Sequence, residues 1–153
     1  MRQLEPCGSS LISIFSWPDV DNFKYYNDKY GHQQGDNLIR ELAKIISSSI
    51  RKDVDSVYRY GGDEFAVVLP HVKQQQALEV AQRIRTRYKE RNLEPTSLRL
   101  GMAKLKGSSD SLEENLWMLL RTADKSLYLA KRNGGDRVCD RKEEVLLAYA
   151  IFL

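Results

Sequence analysis

The chain has 153 residues, enough for one domain with a real core and no need of disulfide or metal staples. Its 24 basic and 21 acidic side chains leave a net charge of +3, too slight a bias to argue for nucleic acid or an anionic membrane surface. An apolar share of 42% beside a charged share of 29% excludes collagen-like, purely coiled-coil and fully disordered chains. Cys7 and Cys139 lie near opposite ends without metal-ligand spacing, and read as thiols of a reducing compartment. No apolar run approaches the ~18 residues of a membrane span. The longest is Val145 to Leu153, and Glu5 and Pro6 argue against a secretory signal, so a cytoplasmic chain is expected.

In chain order, Leu11 to Phe15 reads as a buried strand closed by Pro18. Phe23 to Tyr30 fits a short helix stopped by Gly31. From Asp36, apolar residues at Leu38, Leu42, Ile45, Ile46 and Ile50 form the stripe of a core-facing helix. Val54 to Tyr60 and Glu64 to Leu69 are strands joined at Gly61-Gly62, a strong hairpin signal. Ala77, Val80, Ala81, Ile84 and Tyr88 mark a second long helix, and Pro95 to Ala103 a further strand. Ser111 and Glu114 form a capping box before a helix carrying Leu116, Leu119, Leu120, Ala123, Leu127 and Ala130, stopped at Asn133-Gly134-Gly135. The order β-α-β-β-α-β-α predicts an α+β fold, ferredoxin-like or palm-type, with helices flanking an antiparallel-containing sheet. One domain is expected over 10–140, with an extension over 1–9 and a tail over 141–153, of which Glu143 to Leu153 reads either as an amphipathic helix docked on the domain or as the start of a further element.

The chemistry lies in acids placed by that fold. Asp19 and Asp21 follow the first strand, and Asp63 and Glu64 sit at the hairpin turn. If the first strand lies beside the hairpin, Asp19 and Asp63 meet at one end of the sheet. Carboxylates converging there repel unless a hard divalent cation neutralises them, and Mg²⁺ keeps substrate phosphates in its shell. Lys24 and Lys131 are point charges suited to phosphate. Acids, metal and lysines together describe a nucleoside triphosphate site for phosphoryl or nucleotidyl transfer. Taken singly, each acid reads first as a solvated turn residue.

Longer motifs sharpen this. Arg59 to Phe65 reads RYGGDEF, Asp19 to Asp36 reads DVDNFKYYNDKYGHQQGD, Leu100 to Ala103 reads LGMA, and Ala123 to Val138 reads ADKSLYLAKRNGGDRV. In this order they resemble the GGDEF family of diguanylate cyclases, whose patterns are D-[IV]-D-x-F-K-x-x-N-D-x-x-G-H-x-x-G-D, GGDEF, S-x-G-x-A and A-D-x-A-L-Y-x-A-K-x-x-G-R-N-x-V. The resemblance implies condensation of two GTP molecules into cyclic di-GMP between two antiparallel copies of the domain. It implies Mg²⁺ (or Mn²⁺) held by Asp19, Asp63 and the carbonyl of Val20, with Asp63 also the base on the attacking hydroxyl. Glu64 would support the metal site, Lys24 the charge that grows on the phosphates, and Lys131 the terminal phosphates. Asn27 and Asp36 would read guanine, His32 would contact substrate or cap its turn, and Gly61 and Gly62 would let phosphates approach the backbone. Partners are then GTP and a second copy, with no nucleic acid, no membrane span and a sensory or regulatory module elsewhere.

The chain departs from that pattern in several places. Met1 to Ser10 do not resemble the segment that members carry before the first strand. Trp17-Pro18 precedes the metal aspartate, where members are aliphatic. Gly135 replaces the arginine of G-R-N, with Arg137 the nearest cation. The product-inhibition motif R-x-x-D is matched in register by Lys52 and Asp55, lysine replacing arginine, with Arg51 one position off; inhibition there is expected to be weak. Two rival readings follow: a catalytically silent GGDEF domain that binds GTP or a protein partner, and a palm-type nucleotidyltransferase acting on another nucleotide.

Overall fold

The computed structural model describes residues 14–104 and 112–140. Its elements are β1 (Ile14–Asp21), α1 (Phe23–Tyr30), α2 (His32–Ser47), β2 (Ser56–Gly61), β3 (Glu64–Leu69), α3 (Gln74–Lys89), β4 (Ser97–Lys104), α4 (Leu112–Arg132) and β5 (Val138–Asp140). The strands form one sheet in the order β2-β3-β1-β4-β5, antiparallel except for the β4–β5 pair. The α+β, palm-like expectation is met, and β1 lies beside the hairpin as required. Ser111, the start of the first strand at Leu11 and the tail from Glu143 lie outside the described residues.

Period and burial agree closely in the long helices. The stripe Leu38, Leu42, Ile45 and Ile46 of α2 and the stripe Ala77, Ala81, Ile84 and Tyr88 of α3 are buried. Both press on one sheet face made of Val20, Phe65, Val67, Leu69, Leu98, Leu100 and Met102. Each large aliphatic side chain fully buried there is worth about 1.5–3 kcal/mol. On the opposite face α4 sets Leu119, Ala123 and Leu127 against Ala66, Val68 and Ala103. Gly101 makes that packing possible. A Cβ there would lie 2.4 Å from the carbonyl oxygen of Ala123 and 2.5 Å from the nitrogen of Leu127.

The structure corrects the sequence reading at several points. The short helix does stop at Gly31, whose φ of 87° turns the chain, but α2 starts at His32 rather than Asp36. A bulge between Arg59 and Gly61 shifts the hairpin by one residue. Gly61 therefore pairs with Glu64, and the turn is Gly62-Asp63, with Gly62 at a φ of 50°. The short β5 adds a strand that the sequence pattern did not predict.

The first strand does not end at Pro18; it continues to Asp21. The Leu100 amide donates to the Arg137 carbonyl at 2.9 Å, so the main chain of Leu100 faces away from β1. Its antiparallel partner Pro18 therefore turns its own backbone away from β4 and toward β3. The ladder with β3 stops at Ser16, just short of Pro18, whose missing N–H would have served its next rung. Two residues on, the carbonyl of Val20 points the same way, toward the hairpin turn.

Candidate active site

Strand alternation sends Val20 into the core and Asp19 and Asp21 to the α4 face of the sheet. Directly across β4 stand Arg99, opposite Asp19, and Ser97, opposite Asp21. Arg99 forks between the two acids: its Nη1 donates to Asp21 and its Nη2 to Asp19. Asp19 is 7% exposed and Arg99 9%, so this is a buried ion triad. Asp21 also accepts from Ser97 Oγ at 2.8 Å and from the Asp136 amide at 3.1 Å, which pins the turn after α4 to the end of β1. Arg85 of α3 grips the Asp136 carboxylate from the other side at 2.9 Å.

The hairpin turn brings Asp63 to the same place, beside the Asp19 carboxyl. Burial is the main reason that the Asp19 carboxyl is pushed up to about 7; Arg99 opposes the shift and Asp63 adds to it. Glu64 is raised too, by burial first and then by Asp63 and Asp124. An acid raised on folding holds its proton more tightly in the native state, so stability falls as pH climbs through the interval between the two values. Unfolding free energy in EDTA is therefore expected to decline from about pH 4 to about pH 7 and then level off, with Asp19→Asn flattening the slope in urea titrations.

Beside the acids lies a cavity of about 510 Å³, lined by Val20, Asn22, Lys24, Asp63, Arg99 and Lys131, among others. That size suits a small-molecule ligand, for which roughly 300–1,000 Å³ is usual. Lys24 and Lys131 are both exposed and come from opposite ends of the sequence. No side chain caps α1, whose first turn holds no acid, and the Asn22 side chain instead donates to the Pro95 carbonyl at 3.1 Å. That helix end thus opens on the cavity with its positive pole. Gly61 has no special backbone angle, and a Cβ there would meet nothing within 4 Å, so the fold itself does not require glycine at this position.

Asn27 stands one turn beyond Lys24 on the same face of α1. Its Oδ1 is buried without a hydrogen-bond partner, and Gly35 makes room for it: a Cβ at Gly35 would lie 1.7 Å from that oxygen. Asp36, next in line, is exposed at the start of α2, as is His32. These residues do not line the cavity itself; they flank its α1 side.

Two expectations are revised. Gly135 is buried at a φ of 69°, and a Cβ there would lie 2.5 Å from Asp21 Oδ2, so no side chain fits where the pattern has arginine. Arg137 turns back to donate to the Gly135 carbonyl at 3.1 Å. At the inhibitory-motif position, Asp55 pairs with Arg51 rather than Lys52. Its carboxylate accepts the Arg51 amide at 2.7 Å and Arg51 Nη2 at 2.6 Å, and is 1% exposed, while Lys52 stays at the surface.

Among the described residues no group of three or more His, Cys, Asp and Glu side chains forms a metal-ligand set. The donors that do fit a hard cation are the abutting carboxyls of Asp19 and Asp63 and the carbonyl of Val20. Mg²⁺ completes such a sparse set with waters and phosphate oxygens.

The sequence matches the family profile described as "Diguanylate cyclase, GGDEF domain" over residues 8–137. The chain belongs to the GGDEF family. Diguanylate cyclase DosC of Escherichia coli (strain K12) is 38% identical over 127 residues, covering 78% of this chain and 26% of that protein. Diguanylate cyclase A of Treponema denticola is 39% identical over 122 residues, covering 78% and 33%. The chain thus spans a third or less of the length of these curated relatives. Among solved structures, the GGDEF domain of DgcB from Caulobacter crescentus in complex with c-di-GMP superposes with a TM-score of 0.76 at 28% identity, over 85% of this chain and 78% of that one. The active GGEEF domain of a diguanylate cyclase from Vibrio cholerae gives 0.75 at 34% identity, over 87% and 84%. Family membership supports cyclic di-GMP synthesis as the general activity. Among the described residues of this GGDEF domain, no helix is long and apolar enough to cross a membrane.

Arg99 escaped the sequence reading. The signal was there: one charge inside the otherwise uncharged run Leu98 to Ala103, where a lone ion demands a buried partner.

Proposed function

We propose that this GGDEF domain condenses two GTP molecules into cyclic di-GMP, each held by one of two copies that face each other. What carries the reading is that the fold draws Lys24, Asp63 and Lys131 around one cavity beside Asp19, from three elements and the hairpin turn. Lys24, the open end of α1 and Lys131 hold the triphosphate, and Gly61 leaves the hairpin clear for it. Asn27 and Asp36 meet the guanine edge: a carboxylate accepts from two neighbouring N–H donors, and adenine lacks that pair. Asp19, Asp63 and the Val20 carbonyl would hold Mg²⁺ or Mn²⁺, which when bound draws off charge from the α-phosphate. Asp63 takes the proton from the 3′-hydroxyl of the facing GTP as its oxygen bonds the α-phosphorus. The bond to the bridging oxygen breaks and pyrophosphate leaves; the same exchange in the other copy closes the ring.

The test is chromatography of products from GTP and from ATP, with the chain alone and with the chain fused to a dimeric coiled coil. Cyclic di-GMP from GTP only, and more from the fusion, is expected. Nucleotide binding without product from either form would instead support the second reading, a silent domain that binds GTP, which the grip of Arg99 on Asp19 favours. Gly35→Ala checks the base reader. Its Cβ must push Asn27 aside, so KM for GTP is expected to rise about tenfold or more with discrimination against ATP reduced.

A further inference from the structure

We propose that Arg99 is a resident counter-ion in the acidic site, competing with the divalent cation for Asp19. The inference rests on the reading of Asp19 and Asp63 as metal ligands. In the S-x-G-x-A pattern, Gly101 and Ala103 take the third and fifth positions, so Arg99 stands where the pattern has serine. Serine carries no charge to set against Asp19 and Asp21. Here a guanidinium fills that place. Its two terminal nitrogens are committed to Asp19 and Asp21, and its Nε is buried without a partner, so the two carboxylates are its anchors among the described residues.

Competition follows from this geometry. Asp19 offers one carboxyl to three neighbours: Arg99, Asp63 and any ion between them. A metal that bridges Asp19 and Asp63 must either draw Asp19 away from a charge-assisted hydrogen bond or sit beside a positive guanidinium in a buried setting. Either way the guanidinium already offsets part of the carboxylate charge without metal, and occupancy requires more divalent ion or the added negative charge of nucleotide phosphates. Arg99 itself lines the cavity, so a guanidinium turned off Asp19 would meet those phosphates.

The test is Mn²⁺ binding to the full chain without nucleotide, read by electron paramagnetic resonance of the free ion. Arg99→Ser and Arg99→Met are each expected to bind Mn²⁺ about tenfold or more tightly than the parent chain, the scale of one charge repelling a divalent ion at modest dielectric. Arg99→Met keeps the bulk of the side chain, should Arg99→Ser fold poorly. Arg99→Lys keeps a cation and is expected to stay near the parent value. Adding Asp63→Asn to Arg99→Met should erase the gain. Equal affinity in all four chains, or an equal gain with lysine, overturns the competition while leaving the metal site standing. Failure of every variant to bind Mn²⁺ overturns the competition and the metal-site reading together.

Discussion

Asp63→Asn is expected to lower cyclic di-GMP formation by about 10²–10⁴-fold, the span that a positioned general base contributes, measured as product per unit time by chromatography. Asparagine keeps the size and shape of the side chain but cannot accept the proton of the attacking hydroxyl. The same substitution removes a carboxyl that presses on Asp19 and adds to the rise of its pKa. Thermal stability in EDTA should therefore hold or improve while activity falls. A parallel loss of both would show that Asp63 serves the fold rather than the reaction.

Gly101→Ala is expected to destabilise the chain by about 3 kcal/mol or more, read as a lower urea midpoint. The clash is with backbone atoms of α4, which no side-chain rotation relieves. The helix must lift from β4 to make room, and it carries Lys131 and leads into the Asp136 turn that is tied to Asp21. Binding of GTP should weaken along with stability, in contrast to Asp63→Asn, which leaves the scaffold whole. Were Gly101→Ala to fold as well as the parent, the close seating of α4 on the sheet would be wrong.

Much of this architecture was readable from periodicity. The α2 and α3 stripes declare their buried faces because a helix repeats its contacts every turn, and the acids near the strand ends declared a site once β1 and the hairpin were neighbours. What was not readable depends on pairing across the sheet. A three-residue strand such as β5 carries no period. The bulge before Gly61 leaves no local mark, yet it moves the turn to Gly62-Asp63 and so sets where Asp63 points. Pro18 looked like a stop because a sequence does not tell which side of a strand has lost its neighbour. Arg99 was passed over because its meaning lies in Asp19 and Asp21, some eighty positions earlier, and appears only when β4 is laid beside β1.

The end of the β1–β3 ladder at Ser16 has a consequence for how the acids are held. Pro18 turns its main chain toward β3 and has no N–H to extend that ladder. The stretch of β1 that carries Asp19 and Asp21 is therefore anchored by its ladder to β4, which runs on to Asp21. The hairpin turn with Asp63 is left to adjust beside Asp19 without breaking a sheet hydrogen bond to β1.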